Sequence, residues 1–239
     1  MALPKVNETL NFSTRIPSTN KMVKYRPYLV KEEKVLLQAF ESQNLKIILE
    51  AMCDTIDACL DPSSNIGVQD LTTFDVEYLF TQLRSSSVGE NSTILLKCKK
   101  CETDNSVVID LTQIQVDVAE VENIIEVTPE ISVEMKYPSY QSLIDEDVEN
   151  LDEGDAEQVI SMVASSLVAV LTEEERIDIA KESSPEEVKD FLNSLTATQF
   201  QKLANFLQTM PALAHDVKFD CENCKTKNEV ELRGLSDFF

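Results

Sequence analysis

The sequence predicts a mixed α+β fold: an N-terminal β-hairpin followed by helices, two antiparallel hairpins of the zinc-ribbon kind, and a helical lobe inserted between them. Three observations predict it. Period-2 alternation and β-branched residues mark 12–28 and 92–137 and return at 215–232. Apolar residues at helical intervals fill 31–60, 72–84 and 158–210. Two Cys-x-x-Cys pairs, Cys98 with Cys101 and Cys221 with Cys224, each follow an apolar strand and precede a polar turn and another strand. The pairs bracket the helical stretch, so one interlocked unit with a lobe is expected. Its parts are 1–90 (hairpin plus helices), 91–137 (β region with the first pair), 138–210 (acidic link and helical lobe) and 211–239 (hairpin with the second pair).

Taken in order, Phe12–Ile16 and Met22–Tyr28 alternate apolar and polar residues around the turn-forming Pro17-Ser18-Thr19-Asn20. Next, Val35, Leu36, Ala39 and Phe40, then Ile47, Ile48, Ala51 and Met52, recur at helical spacing. Two helices are expected there, or one broken near Ser42–Asn44. After the polar loop Asp61–Asn65, Thr72 caps a helix with Asp75 in its first turn, where a carboxylate meets the positive end of the dipole. Phe74, Val76, Leu79, Phe80 and Leu83 form its buried side. Strands are expected over Thr93–Lys97, Ser106–Leu111 and Ile131–Tyr137, with another around Val121–Val127.

Residues 145–157 carry eight carboxylates and no base, and read as an exposed, mobile link. The apolar run Val159–Leu171 is far short of the roughly 20 residues that span a bilayer, and is expected as a buried helix over Gln158–Leu171. A further helix is expected over Thr172–Glu182, with Thr172 and Glu175 as its capping box. Ser184, Pro185 and Glu187 signal the next helix start. Phe200, Leu203, Ala204 and Leu207 share one face of a helix over 196–210 that Pro211 stops. Strands return over His215–Asp220 and Asn228–Leu232.

Lys and Arg number 21 against 43 Asp and Glu, a formal net charge of −22 in 239 residues. Such a charge repels phosphate backbones, so nucleic acid is not the expected partner. Its uses are a solvated surface or docking against a basic protein surface. The first residues lack the basic region and apolar run of a secretory leader. A reducing cytoplasm is expected, where cysteines serve as metal ligands or buried thiols rather than disulfides.

Two thiolates at Cys-x-x-Cys spacing bind one tetrahedral ion from a tight turn, and two facing pairs close a four-thiolate site. Cys98, Cys101, Cys221 and Cys224 are therefore the candidate ligands of one structural Zn2+. The 119 residues between Cys101 and Cys221 exceed the usual ribbon spacing. The pairing rests instead on repetition: strand, cysteine pair, polar turn ending in Asn105 or Asn228, strand. A degenerate site without metal and His215 as a substitute ligand stay open. A redox pair is disfavoured, because such a pair opens a helix whose N-terminus lowers the thiol pKa. Cys53 and Cys59 lie about 240° apart around a helix and read as buried apolar thiols. One histidine, four glycines and no tryptophan, with no phosphate-cradling loop and no carboxylate pair on an apolar background, leave no catalytic constellation. Neither an enzyme nor a small-molecule substrate is expected.

The order polar hairpin, Tyr25-Arg26-Pro27-Tyr28-Leu29-Val30, Lys31-Glu32-Glu33-Lys34, apolar helix resembles the T4-type bacteriophage baseplate protein family. The stretch TTFDVEYLFTQLRSSSVGE at 72–90, followed by a strand leading into a cysteine pair, looks like that family's second block. The resemblance implies a component of the central baseplate hub of a contractile phage tail, or a factor that assembles it. It implies contacts with other phage baseplate hub and wedge proteins, with no nucleic acid, membrane or small-molecule partner. It also implies assembly in the host bacterial cytoplasm and a place in the virion's tail baseplate. Within the two blocks the positions put forward for partner contact are Tyr25, Arg26, Tyr28, Lys31, Glu32, Tyr78 and Arg84, with Pro27, Phe74, Asp75 and Glu77 beside them. For each the alternative is fold maintenance. Three functions stay open: a hub protein kept in the virion, an assembly chaperone that leaves, and a nucleic-acid-binding zinc ribbon. The last is motivated by Lys97, Lys99 and Lys100 and opposed by the net charge.

Overall fold

A computed structural model describes residues 12–116, 122–145 and 156–238. The chain divides into two compact units, one built from Met1–Val118 with Pro211–Phe239 and the other from Ala119–Met210. Every sheet in them is antiparallel.

In the first unit β1 (Phe12–Arg15) pairs with β2 (Met22–Tyr25), and Asn20 turns the chain between them at φ 56°. β2 ends earlier than expected because Arg26 N donates to Cys59 O at 3.1 Å, outside the hairpin, and Pro27 has no N–H to give. α1 (Val30–Ser42) and α2 (Leu45–Cys59) are separate helices, broken where expected. Gln43 closes α1 at φ 55°, a left-handed end that helices commonly use. The Asn44 side chain accepts from Ile47 N at 2.9 Å and starts α2.

Glu32 is 7% exposed and ties this junction together. Its Oε1 pairs with Arg26 Nη2 at 2.8 Å and its Oε2 accepts from Leu29 N at 2.9 Å. Arg26 also donates to Pro27 O and Ala58 O. Burial pushes the Glu32 carboxyl up, but Arg26, the Leu29 N–H and Lys31 together outweigh it and hold the pKa below the ordinary glutamate value.

α3 (Thr73–Ser87) starts at the expected capping box of Thr72 and Asp75, and Phe74, Val76, Leu79, Phe80 and Leu83 are all buried. Asp75 is fully enclosed, yet its carboxylate accepts from Ser18 N at 2.9 Å, Ser18 Oγ at 2.6 Å and Thr72 Oγ1 at 2.6 Å. One side chain thus caps the helix and pins the β1–β2 turn to it. β3 (Asn91–Lys97) and β4 (Asp104–Asp110) follow as a hairpin, with Lys97 opposite Asp104. β5 (Gln115–Val116) closes this half of the unit.

In the second unit β6 (Ile124–Thr128), β7 (Ile131–Met135), β8 (Leu167–Thr172) and β9 (Arg176–Asp178) form a sheet in that order. With it go α4 (Tyr140–Asp145), α5 (Ala156–Ser166), α6 (Ile179–Glu182), α7 (Pro185–Ser194) and α8 (Ala197–Gln208). Val133, Met135, Val163, Leu167, Leu192 and Leu203 lie in its core.

Two helix expectations fail here. Gln158–Leu171 is helical only to Ser166. Leu167–Thr172 instead pairs with β7 (Val133 opposite Val170) and with β9 (Val170 opposite Ile177), burying Leu167 and Ala169. A short apolar run fits a buried strand as well as a helix, and the tertiary pairing decides. Ser165 and Ser166 help end the helix by donating their hydroxyls to Met162 O at 3.0 and 2.8 Å. Thr172–Glu182 is likewise no continuous helix. The Thr172 hydroxyl does accept from Glu175 N, at 3.1 Å, but Thr172 N donates to Glu175 O at 2.9 Å and the pair closes the β8–β9 turn. The same side-chain bond that caps a helix here closes a hairpin, so the segment between the cysteine pairs is not purely helical. The expected strand at Val121–Val127 is β6, with Val121 outside the described residues. Of the acidic link at 145–157, residues 146–155 lie outside them too.

The chain returns to the first unit as β10 (Leu213–Asp220) and β11 (Lys227–Arg233), with Asp220 opposite Lys227. Their sheet has the order β11-β10-β5, and β3-β4 is a separate two-stranded sheet. The two cysteine hairpins therefore do not share one sheet as the zinc-ribbon expectation would have it. They share a core instead, where Ile94, Ile109, Leu111, Leu213, Leu232 and Phe238 are buried together. Ser92 Oγ donates to Phe238 O at 3.0 Å across it. Among the described residues no helix is long and apolar enough to cross a membrane.

Asp75→Ala strands the Ser18 and Thr72 donors, so thermal or urea unfolding should show a loss of about 1–3 kcal/mol, with Asp75→Asn losing less. Glu32→Gln should also destabilise. A carboxyl whose pKa falls on folding contributes stability above its unfolded pKa and loses it as pH drops through the folded value. The gap in Tm between wild type and Glu32→Gln should therefore be widest near neutrality and close in acid.

Candidate metal centre

The β3–β4 and β10–β11 turns are the same structure twice. In the first, Cys98 N donates to Thr103 O at 3.0 Å, Glu102 N donates to Cys98 O at 2.9 Å, and Glu102 sits at φ 56°. In the second, Cys221 N donates to Thr226 O at 2.9 Å, Lys225 N donates to Cys221 O at 2.9 Å, and Lys225 sits at φ 55°. Each turn aims two thiols at the other. The four Sγ atoms lie within 4.8 Å of one another, and the closest contacts cross between hairpins: Cys98 to Cys224 and Cys101 to Cys221, each 3.6 Å. All four are free thiols; Cys98 and Cys221 are buried, Cys101 and Cys224 half-buried. A tetrahedral ion with metal–sulfur bonds of 2.3 Å sets its sulfurs about 3.8 Å apart. The donor set fits such an ion in number, softness and spacing.

The polar shell around the sulfurs repeats the symmetry. Asn105 Oδ1 accepts from Glu222 N at 2.9 Å, while Asn228 Oδ1 accepts from Lys99 N at 3.0 Å. Each asparagine thus holds the opposite turn. Each also donates to a carbonyl of its own turn: Asn105 Nδ2 to Thr103 O at 2.7 Å and Asn228 Nδ2 to Thr226 O at 2.9 Å. Both asparagines are almost fully buried, so these bonds also meet the cost of enclosing two amides. Thr103 Oγ1 stands 3.4 Å from Cys101 Sγ and Thr226 Oγ1 stands 3.2 Å from Cys224 Sγ. Both asparagines are foreshadowed in the sequence as ends of the polar turns. The threonines are not singled out there, although a shared Cys-x-x-Cys-x-Thr-x-Asn pattern, at 98–105 and 221–228, marks them.

In the first turn this shell favours thiolates, whereas in the second backbone N–H groups pull the Cys221 thiol down but burial and the Cys101 and Cys224 thiols outweigh them and hold it above its ordinary value. The Thr103 hydroxyl and backbone N–H hold the Cys101 thiol down to about 6, and the backbone N–H groups of Lys100 and Cys101 lower that of Cys98. The thiolate is the ligating form of cysteine. Cys53 and Cys59 behave oppositely: burial pushes them up to about 12 and about 11, as suits inert core thiols. His215 lies on β10 opposite Leu232, outside the four-sulfur cluster. Both cysteine pairs sit in hairpin turns rather than at a helix N-terminus, which removes the structural premise of a thioredoxin-like pair.

The positions put forward for partner contact fall into different settings. Tyr25 is buried with its ring stacked on Phe12, centroids 5.8 Å apart. Arg26 and Glu32 hold the α1 junction. Lys31 is exposed with Nζ 3.1 Å from Glu32 Oε1. The half-buried Tyr78 hydroxyl is 3.2 Å from Thr14 Oγ1. Tyr28 and Arg84, which are far apart in sequence, line one open pocket of about 530 Å³ together with Glu33, Leu37, Phe40 and Val88.

Comparison with curated proteins and with solved structures returns no match. The family described as T4 bacteriophage base plate protein matches residues 8–239. That span takes in both units and both cysteine turns, and extends well past the two blocks that first suggested the family. The chain is a member of the T4 bacteriophage base plate protein family.

Proposed function

We propose that the chain is a structural component of the central baseplate hub of a contractile phage tail. On this reading it acts by contacts with other hub and wedge proteins, is needed for baseplate assembly, and is stabilised by one structural Zn2+. The observation that carries the reading is the family match across both units. The compact four-thiol cluster supports the metal.

Cys98, Cys101, Cys221 and Cys224 would hold the ion, which when bound supplies a cross-link between the two turns. The chain's own residues prepare the site. Asn105 and Asn228 fix the two turns against each other, backbone N–H groups stabilise the Cys98 thiolate, and the Thr103 hydroxyl and N–H stabilise that of Cys101. A four-thiolate ion has no open position for water or substrate, which supports a contact protein rather than an enzyme. The net charge of −22 suits docking on basic protein surfaces and opposes nucleic acid despite the local lysines. The protein is read as assembled in the host bacterial cytoplasm and retained in the virion.

Metal analysis of the purified chain should give one zinc per protein. Cys221→Ser should release it and speed amide exchange in β10 and β11; zinc retained unchanged in that variant contradicts the four-cysteine site. Quantitative mass spectrometry of purified particles should find the chain in stoichiometric amount. Its absence from mature particles would sink the virion reading in favour of an assembly chaperone that leaves.

A further inference from the structure

α1 is apolar on two sides. Leu36 and Ala39 point into the unit and are buried, while Val30, Leu37 and Phe40 follow one another along the outer side, 79%, 58% and 42% exposed. Residues seven and three apart share a helix face, so the three lie along one side, with Glu33 and Lys34 between Val30 and Leu37. Val88, at the end of α3 and 59% exposed, stands across the pocket from it. Single exposed apolar residues are ordinary, but Leu37, Phe40 and Val88 exposed together around one pocket mark a surface that something covers.

The pocket also carries charge. Arg84 and Tyr28 line it with the apolar residues, and Glu33 lines it from α1. Burial pulls the Arg84 guanidinium below its ordinary pKa, with the Tyr28 phenol acting the other way. A carboxylate brought to it would form a charge-assisted bond in a setting partly shielded from water. A basic group beside that carboxylate would meet Glu33. A second copy of this chain is a poor occupant, since each copy brings −22.

We propose that this pocket seats an amphipathic helix of another baseplate protein. Its apolar side chains cover Leu37, Phe40 and Val88, a carboxylate between them meets Arg84, and a basic residue meets Glu33. The helix-in-groove arrangement matches a cleft walled by exposed apolar side chains of a helix. The inference deepens, and rests on, the reading of the chain as a contact-making baseplate protein.

The test places the photo-cross-linker benzoylphenylalanine at Leu37, and separately at the exposed Leu95 on β3, in the full chain during particle assembly. The Leu37 probe should capture one peptide of a different baseplate protein, with Asp or Glu and a basic residue among apolar residues at helical spacing. Arg84→Gln should cut that capture by about tenfold or more, the loss expected when a bond to a charged group is removed. Val88→Asp, which alters only an exposed residue, should give a comparable loss and guards against misfolding of the first variant. Capture of a second copy of this chain, capture of a peptide without a carboxylate, or capture unchanged in both variants overturns the proposal. Capture from Leu95 alone overturns it and leaves the contact-making reading standing, whereas no capture from either position sinks both.

Discussion

The first unit depends on one constraint: two turns far apart in the sequence must meet face to face with their polar groups satisfied. Asn105 and Asn228 meet it by crossing over, each accepting from a backbone N–H of the other turn while donating within its own. A buried amide with no partner costs about 1–3 kcal/mol, so these crossed bonds are what let the two turns enclose each other's polar groups. The four thiols converge because the asparagines have already set the two backbones in register. A metal ion would then lock a geometry that hydrogen bonds define, which differs from a site whose ligands are gathered only by the ion.

The same economy governs the carboxylates. The chain carries 43 of them, and among the described residues two, Glu32 and Asp75, are enclosed and serve as joints. Asp75 ties the β1–β2 turn to α3, and Glu32 ties α1 to Arg26, which in turn reaches the end of α2. Buried carboxylates in an acidic protein add to its self-repulsion, so each is surrounded by donors. The positions that family resemblance brings forward, Tyr25, Arg26, Glu32 and Asp75, are largely such joints. Tyr28 and Arg84, half-buried beside them, line the pocket next to the exposed side of α1.

Much of this was legible from local chemistry. The break at Gln43, the caps at Thr72 and Ser184, the buried face of α3 and both cysteine hairpins follow from residue type and spacing, because each is decided within a few residues. The region after Ala156 was harder for a physical reason. Leu167–Thr172 alternates weakly enough to serve as helix or strand, and only pairing with β7 and β9 selects the strand. Thr172 and Glu175 carry a helix-start signal whose hydrogen bond is real but closes a turn. At the candidate centre the cysteines announced themselves. The reciprocal role of the asparagines did not, because it depends on two turns meeting across about half the chain. The pocket at Arg84 was hidden likewise, being assembled from α1, α3 and β3.

The division of the first unit between the two ends of the chain has a consequence for how the protein is made. Leu213, Leu232 and Phe238 complete a core whose other half includes Ile94 and Leu111. On the ribosome, Cys98 and Cys101 emerge on the order of ten seconds before their counterparts. By the end of that interval the second unit has its whole sequence available and is free to fold, while the first waits half-built with two thiols uncovered. The final strand pair therefore acts as a completion check: a chain truncated before Cys221 keeps its inserted unit but never closes the body that carries it.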